Sequence, residues 1–232
     1  MTTRPCREAA GIAGAILSGG EASRFGGRAK GLLRLASGVS ILERTLKEVD
    51  AAGIHQVAVF ANDLAAYAGL GCAVVADHRR GIGPLAGIET ALRHFAGRCK
   101  AVLILPCDLP GITSREIQTL CTRFAQTEAQ IVVAETGDSF WHPLCTIVHS
   151  ELRETISRGI EDGWRSVHRL WRCLGAVSVH FPDGAPFLNI NTPEDWAKWR
   201  SRGTEAGAEV RAPAAEARRH SGWQQRSKHG AR

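Results

Sequence analysis

The sequence predicts an α/β protein with a Rossmann-like, three-layer fold, in which helices cover both faces of a mainly parallel sheet. Short apolar segments rich in Val, Ile, Leu and Ala alternate along the chain with longer segments whose apolar residues recur at helical spacing. The chain has 232 residues, 44% of them hydrophobic, which suits one such domain with a substantial core. Strands that alternate with helices favour parallel pairing, because each crossover returns the chain to the same edge of the sheet.

Seven apolar segments have the length and composition of strands. The first is a short apolar run that ends in a glycine-rich turn, which predicts a buried strand. The fourth is purely aliphatic and ends at Pro106-Cys107-Asp108. The predicted strands are Ile12–Leu17, Val57–Ala61, Cys72–Ala76, Ala101–Leu105, Gln130–Ala134, Leu144–Val148 and Ala176–Phe181.

Capping residues mark where the helices begin. Ser40 and Thr113 are each followed three residues later by Glu, which is the capping-box pattern. Pro84 and Pro193 mark first helical positions, because proline lacks the N–H that a first turn leaves unpaired. The predicted helices follow Ser40 to about Ala52, run from Pro84 to about Ala96, follow Thr113, cover Ser150–Ser157 and Ser166–Cys173, and follow Thr192.

The net charge of +6 is concentrated at the carboxyl end. Residues 200–232 contain eight Arg or Lys and three Glu in a Gly/Ala/Arg-rich stretch without hydrophobic periodicity. We therefore predict a flexible N-terminus at residues 1–10, one domain at residues 11–201 and a basic disordered tail at 202–232. Because the body is nearly neutral, we expect no nucleic-acid partner. No apolar stretch approaches the roughly 20 residues that span a bilayer, so we expect no membrane partner.

The seven cysteines include no CxxC pair, and their number is odd. This pattern argues against a disulfide framework or a zinc site, and it favours reduced thiols in the cytoplasm.

The loop from Leu17 to Gly31 carries the strongest local signal, with five glycines. Glycine lets backbone N–H groups approach a phosphate closely, and Arg24 and Lys30 add positive charge that suits a triphosphate. The loop is neither a Walker A loop nor a GxGxxG fingerprint. The alternative interpretation is a flexible connection with incidental charges.

Ligands of parallel sheets bind beyond the carboxyl ends of the strands. Three segments are predicted to lie there: the loop after the first strand, the loop from Asp77 to Pro84, and Asp108. A carboxylate at such a strand end can hold Mg²⁺ against phosphate oxygens, although Asp108 could equally be a capping or turn residue. Cys107 is interpreted as a packing residue, and His142 as structural.

Several motifs occur in one order: Leu17-Ser-Gly-Gly, Arg24-Phe-Gly-Gly, Lys30-Gly-Leu-Leu, Gly83-Pro-Leu-Ala-Gly-Ile, Pro106-Cys-Asp-Leu-Pro, His142-Pro-Leu and Asn189-Ile-Asn-Thr-Pro-Glu-Asp. Together they resemble the molybdenum cofactor guanylyltransferase family (MobA type) over roughly residues 12–200, with the nucleotidyltransferase type of α/β fold. The resemblance implies transfer of GMP from GTP to molybdenum-molybdopterin, with release of pyrophosphate. It also implies Mg²⁺ as cofactor and a molybdoenzyme or chaperone that receives the product.

The resemblance assigns roles to individual positions. Catalytic roles fall to Arg24, Lys30 and Asp108, and Asp108 would be the ligand of Mg²⁺. Asn189 and Asn191 match the segment that contacts the pterin. The positions implied to bind the nucleotide are Leu17, Ser18, Gly19, Gly27, Lys30, Asp77 and Asp108.

The chain departs from the family pattern at two positions. Ala29 stands where an acidic residue usually precedes the lysine, and Phe60 stands where the second strand often ends in Asn, with Asn62 two residues further on. The alternatives left open are a molybdopterin cytidylyltransferase, a sugar-phosphate nucleotidyltransferase and a non-catalytic carrier of the pterin cofactor.

Overall fold

A computed structural model of the protein describes Ala9, residues 11–19 and residues 29–206. Arg24 and Gly27 lie outside these ranges, as does most of the predicted tail. The strands are β1 (Ile12–Leu17), β2 (Val57–Phe60), β3 (Ala73–Val75), β4 (Ala101–Pro106), β5 (Ile131–Thr136), β6 (Phe140–His149) and β7 (Val177–Phe181). The helices are α1 (Ile41–Ala51), α2 (Pro84–His94), α3 (Ser114–Ala125), α4 (Arg153–Glu161), α5 (Val167–Cys173) and α6 (Pro193–Ala206).

The seven strands form one sheet in the order β3-β2-β1-β4-β6-β5-β7. The pairs β3·β2, β2·β1, β1·β4 and β5·β7 are parallel, whereas β6 runs antiparallel to both of its neighbours. The prediction of a mainly parallel sheet is therefore confirmed. Because β1 to β4 all run in one direction, their carboxyl ends lie at the same edge of the sheet.

Helices cover both faces of the sheet, which confirms the three-layer prediction. One face carries a core cluster to which α2, α4 and α5 contribute. The other face carries a cluster to which α1 and α3 contribute. Strands β1 and β4 are buried along their whole length, as expected for strands that are covered on both faces.

The capping boxes at Ser40–Glu43 and Thr113–Glu116 are both formed as predicted. At α6, the Thr192 N–H donates to Asp195 Oδ2 at 2.9 Å, and the Asp195 N–H donates to Thr192 Oγ1 at 3.1 Å. Helix α2 begins at Pro84 as predicted, after Gly83 with a φ of 82°. A side chain at position 83 would be strained in that conformation.

Two elements differ from their predicted bounds. Strand β6 covers ten residues, because a hairpin turn at Gly137–Ser139 pairs Phe140 to His142 with β5. Its register shifts so that residues 143–145 oppose no residue of β5, and Pro143 lies in this bulge. The sequence predicted only residues 144–148, and the bulge explains how a proline is accommodated within the longer strand. The helix predicted at Ser150–Ser157 is a 3-10 turn, Ser150–Leu152, followed by α4.

Helix α6 continues to Ala206, past the predicted domain boundary at residue 201. The division into a domain and a basic tail stays a prediction, as does the flexible N-terminus. Within the described ranges, no helix is long and apolar enough to cross a membrane. The six cysteines from Cys72 onward form no disulfide bond with one another.

Candidate active site

A cavity of about 730 Å³ opens at the carboxyl edge of the sheet. It is lined by residues from the loop after β1, from the 77–84 loop and from the end of β4, which are the three segments predicted to meet there. The antiparallel β6 enters the sheet at this edge, and its residue Leu144 lines the cavity from that side. Pairing of β1 with both β2 and β4 explains why residues far apart in sequence share one cavity.

The residues that follow β1 are held by bonds to both neighbouring strands. The Ser18 N–H donates to the carbonyl of Phe60 at 2.8 Å, and the Cys107 N–H donates to the carbonyl of Leu17 at 3.0 Å. The Ser18 hydroxyl lies 2.5 Å from the hydroxyl of Tyr67. These contacts fix the direction in which the glycine-rich loop leaves the sheet. Leu17, Ser18 and Gly19 all line the cavity, as expected for nucleotide-binding positions.

Glycine allows close packing beside this loop at two positions. A Cβ on Gly87 of α2 would stand 3.2 Å from Leu17 Cδ2, and a Cβ on Gly31 would stand 3.1 Å from the Cβ of Cys107. Contacts this short force the neighbouring side chain to move, because buried regions have no spare volume. The glycines of the Lys30-Gly and Pro-Leu-Ala-Gly motifs therefore allow close packing around the cavity.

Lys30, Asp108 and Asn191 form one polar group. Lys30 Nζ donates to Asn191 Oδ1 at 2.8 Å and lies 3.3 Å from Asp108 Oδ2. The backbone carbonyl of Asp108 accepts a bond from the Ile190 N–H at 2.9 Å, which fastens the Asn189–Asn191 segment to the end of β4. Asn189 also lines the cavity. The segment predicted to serve the second substrate therefore touches the predicted phosphate-binding lysine.

The Asp108 carboxylate is held in an environment of low polarity. Burial raises its pKa, and the charge of Lys30 acts in the opposite direction. Its Oδ1 atom is buried and has no hydrogen-bond partner among the residues described. A buried carboxylate oxygen without a donor or cation is unfavourable, so this atom is suited to receive one from a ligand. Within the same ranges, no group of three or more His, Cys, Asp or Glu side chains could hold a metal ion.

Asp77 lines the cavity from the loop after β3. Asn62 Nδ2 donates to Asp77 Oδ2 at 2.9 Å, and the Asp77 N–H donates to Asn62 Oδ1 at 3.3 Å. Burial raises the pKa of Asp77, and the bond from Asn62 acts to lower it. Asn62 was not among the residues predicted to form the site. Its position two residues beyond β2, at the ligand-binding edge, is the signal that would have identified it.

Arg79 lines the same cavity and was not predicted to do so. Its Nε lies 3.1 Å from Oε2 of the fully buried Glu89, and its Nη2 lies 2.6 Å from Glu161 Oε1. Ser157 Oγ donates to Glu89 Oε1 at 3.0 Å, and Arg93 lies 3.5 Å from the same oxygen. This network joins the 77–84 loop to α2 and α4. The signal in the sequence was a glutamate on the apolar face of α2.

Cys107 and His142 have the packing roles that their sequence context predicted. Burial raises the pKa of the Cys107 thiol to about 11, so it is a neutral thiol at physiological pH. The His142 ring stacks on Phe187 with centroids 4.9 Å apart, and its Nε2 lies 2.8 Å from Thr136 Oγ1. Burial lowers the pKa of His142, which favours its neutral form.

Comparison with known proteins agrees with this architecture. The family model described as "MobA-like NTP transferase domain" matches residues 14–177. A molybdenum cofactor guanylyltransferase of Shewanella sp. strain MR-4 is 31% identical in an alignment of 187 positions, which covers 77% of this chain and 90% of that protein. The Pseudomonas aeruginosa protein of the same name is 32% identical over 187 residues, covering 80% of this chain and 92% of that protein.

A solved structure with a similar fold is the molybdopterin-guanine dinucleotide biosynthesis protein A of Archaeoglobus fulgidus. It superimposes with a TM-score of 0.69 at 21% identity and covers 83% of this chain and 99% of that one. At this identity the likeness concerns the fold, and it confirms the nucleotidyltransferase type of α/β architecture.

Proposed function

We propose that this chain, which belongs to the family with a MobA-like NTP transferase domain, transfers GMP from GTP to molybdenum-bound molybdopterin. The products are the molybdopterin guanine dinucleotide cofactor and pyrophosphate. The observation that carries the proposal is the meeting of Asp77, Lys30, Asp108 and Asn189 at one cavity. Relatives that carry this activity in their names share almost a third of their residues with the chain over most of its length.

The choice of base is supported by the chemistry of Asp77. An ionised carboxylate only accepts hydrogen bonds. Guanine presents two adjacent N–H donors, on N1 and on the exocyclic amine, whereas the corresponding edges of cytosine, adenine and uracil mix donors with acceptors. A half-buried carboxylate in the wall of the cavity therefore favours guanine. Phe60, which replaces the Asn often found at this position, offers no polar group to a base.

The residues present fit a magnesium ion. Mg²⁺ in nucleotide sites is held by one or two carboxylates and by phosphate oxygens and water. Asp108, with its unpartnered Oδ1, supplies one such carboxylate. A bound Mg²⁺ screens the charge of the triphosphate and stabilises the departing pyrophosphate.

The reaction needs positioning and charge more than a strong base. The acceptor ends in a phosphate monoester whose second pKa is about 6, so it is largely dianionic at neutral pH. One of its oxygens bonds to the α-phosphorus of GTP, and the bond from that phosphorus to the bridging oxygen breaks, so that pyrophosphate leaves with the electron pair. Lys30 and Arg24 would lower the repulsion between the anions, and Lys30 would follow the charge that develops on pyrophosphate.

The second substrate is expected on the side of the cavity where Asn189 and Asn191 lie. The Ile190 N–H donates to the backbone carbonyl of Asp108, so the predicted pterin-binding positions lie next to the predicted metal ligand. An acceptor phosphate held there would lie on the side of the cavity that also carries Lys30 and Asp108. Delivery of the product to a molybdoenzyme or a chaperone, and residence in the cytoplasm, stay predictions from the sequence.

The proposal is tested by incubating the protein with Mg²⁺, molybdenum-loaded molybdopterin and each of the four NTPs in turn. We expect pyrophosphate and a dinucleotide product with GTP, well above the yield with CTP, ATP or UTP. A preference for CTP would assign the chain to the cytidylyltransferases instead. Binding of the pterin cofactor without pyrophosphate release would indicate a carrier.

A further inference from the structure

Asn62 is joined to Asp77 by two hydrogen bonds that use both ends of its side-chain amide. Nδ2 donates to the carboxylate at 2.9 Å, and Oδ1 accepts from the backbone N–H of Asp77 at 3.3 Å. Rotating the amide by half a turn would lose both bonds, so the pair has one preferred arrangement. Both residues line the cavity.

The surroundings of Asp77 leave its carboxylate accessible to a ligand. Its two oxygens face glycine: Oδ2 lies 3.9 Å from where a Cβ on Gly19 would stand, and Oδ1 lies 3.6 Å from where a Cβ on Gly87 would stand. Without a second contact, such a carboxylate could rotate about its χ angles. The bond from Asn62 to Oδ2 holds it in one orientation and favours its ionised, acceptor-only form.

We propose that Asn62 is a positioning residue for base selection, which acts through Asp77 by holding the carboxylate in the orientation that accepts two N–H donors of guanine. This inference rests on the proposed function, because it requires GTP to be the nucleotide. Asn62 itself need not touch the base. Replacing Asn62 should therefore change the preference for guanine over a base that lacks one of the two donors.

The test compares GTP with ITP, whose base lacks the exocyclic amine and is otherwise the same. A hydrogen bond to a charged group typically changes discrimination by about tenfold or more, so the wild-type protein should prefer GTP by about that factor in kcat/KM. In Asn62→Asp the side chain keeps its size, but its donor is replaced by a charged acceptor against Asp77. The GTP/ITP ratio should then fall towards one, while kcat at saturating nucleotide stays within about threefold.

Asp63→Asn is the matched control. It replaces a carboxylate by an amide, the opposite of Asn62→Asp, at the next residue, which also lines the cavity. The Asp63 Oδ1 atom accepts a bond from the Ala66 N–H at 3.2 Å, and asparagine can keep that bond. This variant should retain the wild-type GTP/ITP ratio.

A double-mutant cycle completes the test. In an Asp77→Asn background, Asn62→Asp should cause no further loss of selectivity, because both substitutions act on one contact. Thermal unfolding of each variant shows that the fold is kept.

The outcomes separate the inference from the proposed function. An unchanged GTP/ITP ratio in Asn62→Asp, with the ratio lost in Asp77→Asn, overturns the role of Asn62 and leaves the guanylyl transfer intact. Wild-type protein that uses GTP and ITP equally overturns the base contact of Asp77, and the role of Asn62 with it. A wild-type preference for CTP contradicts the proposed function itself.

Discussion

Lys30 contacts residues of both predicted substrate-binding regions, Asp108 on one side and Asn191 on the other. We expect Lys30→Ala to lower kcat by on the order of 10²-fold, because a charge that follows the departing pyrophosphate acts mainly in the transition state. GTP affinity should fall much less, since the backbone amides of the glycine loop remain. Pyrophosphate release measures the turnover, and titration with GTP measures the affinity.

The control for Lys30 is Lys47→Ala, which removes a lysine from the exposed side of α1. It should change neither quantity. If kcat of Lys30→Ala stays within about threefold of the wild-type value, the lysine makes no contact with the reacting phosphates, because such a change is below one kcal/mol.

Asp108→Asn tests the metal ligand. The substitution keeps the size of the side chain and removes its charge, so turnover should fall by at least 10²-fold at a fixed Mg²⁺ concentration. Thermal unfolding should change little, because loss of a buried negative charge offsets loss of the contact with Lys30. A folded variant whose turnover is close to that of the wild-type protein would show that Asp108 is a turn residue and not a ligand of Mg²⁺.

At the scale of elements, the segment from Asn189 to Asn191 joins α6 to the end of β4. We predict that the double variant Asn189→Ala, Asn191→Ala raises KM for molybdopterin by about tenfold, since each lost neutral hydrogen bond costs about 0.5–1.5 kcal/mol. The affinity for GTP should stay within about threefold. An equal loss of GTP affinity would show that Asn191 serves the nucleotide through its bond to Lys30.

The network of Glu89 connects α2, α4 and the 77–84 loop. Glu89→Gln should lower the free energy of unfolding by roughly 2–3 kcal/mol, because it leaves Arg79 and Arg93 beside a buried group without charge. Glu161→Gln is the matched control, since Glu161 contacts the same arginine but is 57% exposed, and it should cost less than about 1 kcal/mol. Urea denaturation measures both. Equal effects would mean that burial of Glu89 contributes nothing to the stability of the network.

At the scale of the whole molecule, every described residue that lines the cavity comes before residue 190 in the chain. Residues 207–232 carry six Arg or Lys and two Glu, which account for most of the net charge. We predict that a chain ending at Ala206 keeps turnover within about twofold, because it retains every described residue that lines the cavity. The test compares the turnover of the shortened and the full chain at low and at high salt. If the tail steers anionic substrates to the cavity, the shortened chain will have lower turnover at low salt only.

The elements of this fold were predictable where one local rule decides them. Strands β1 and β4 are apolar throughout because both of their faces are covered, and the capping boxes of α1 and α3 place each helix start by hydrogen bonds within four residues. Asp77 and Asp108 each lie two residues beyond the end of a strand, and the parallel order of the sheet brings these strand ends to one edge. The sequence alone therefore determined the fold class and the edge of the sheet at which the cavity opens.

Tertiary structure decided which of these residues touch. The bond between Lys30 and Asn191 joins positions 161 residues apart, and no periodicity or local motif encodes such a distance. The same holds for the pairing of Asn62 with Asp77 and of Glu89 with Arg79, because each depends on how one loop crosses a neighbouring element. The bulge that admits Pro143 to β6 likewise arises from pairing with β5. Local rules act over a few residues, whereas these contacts follow from the order and register of the whole sheet.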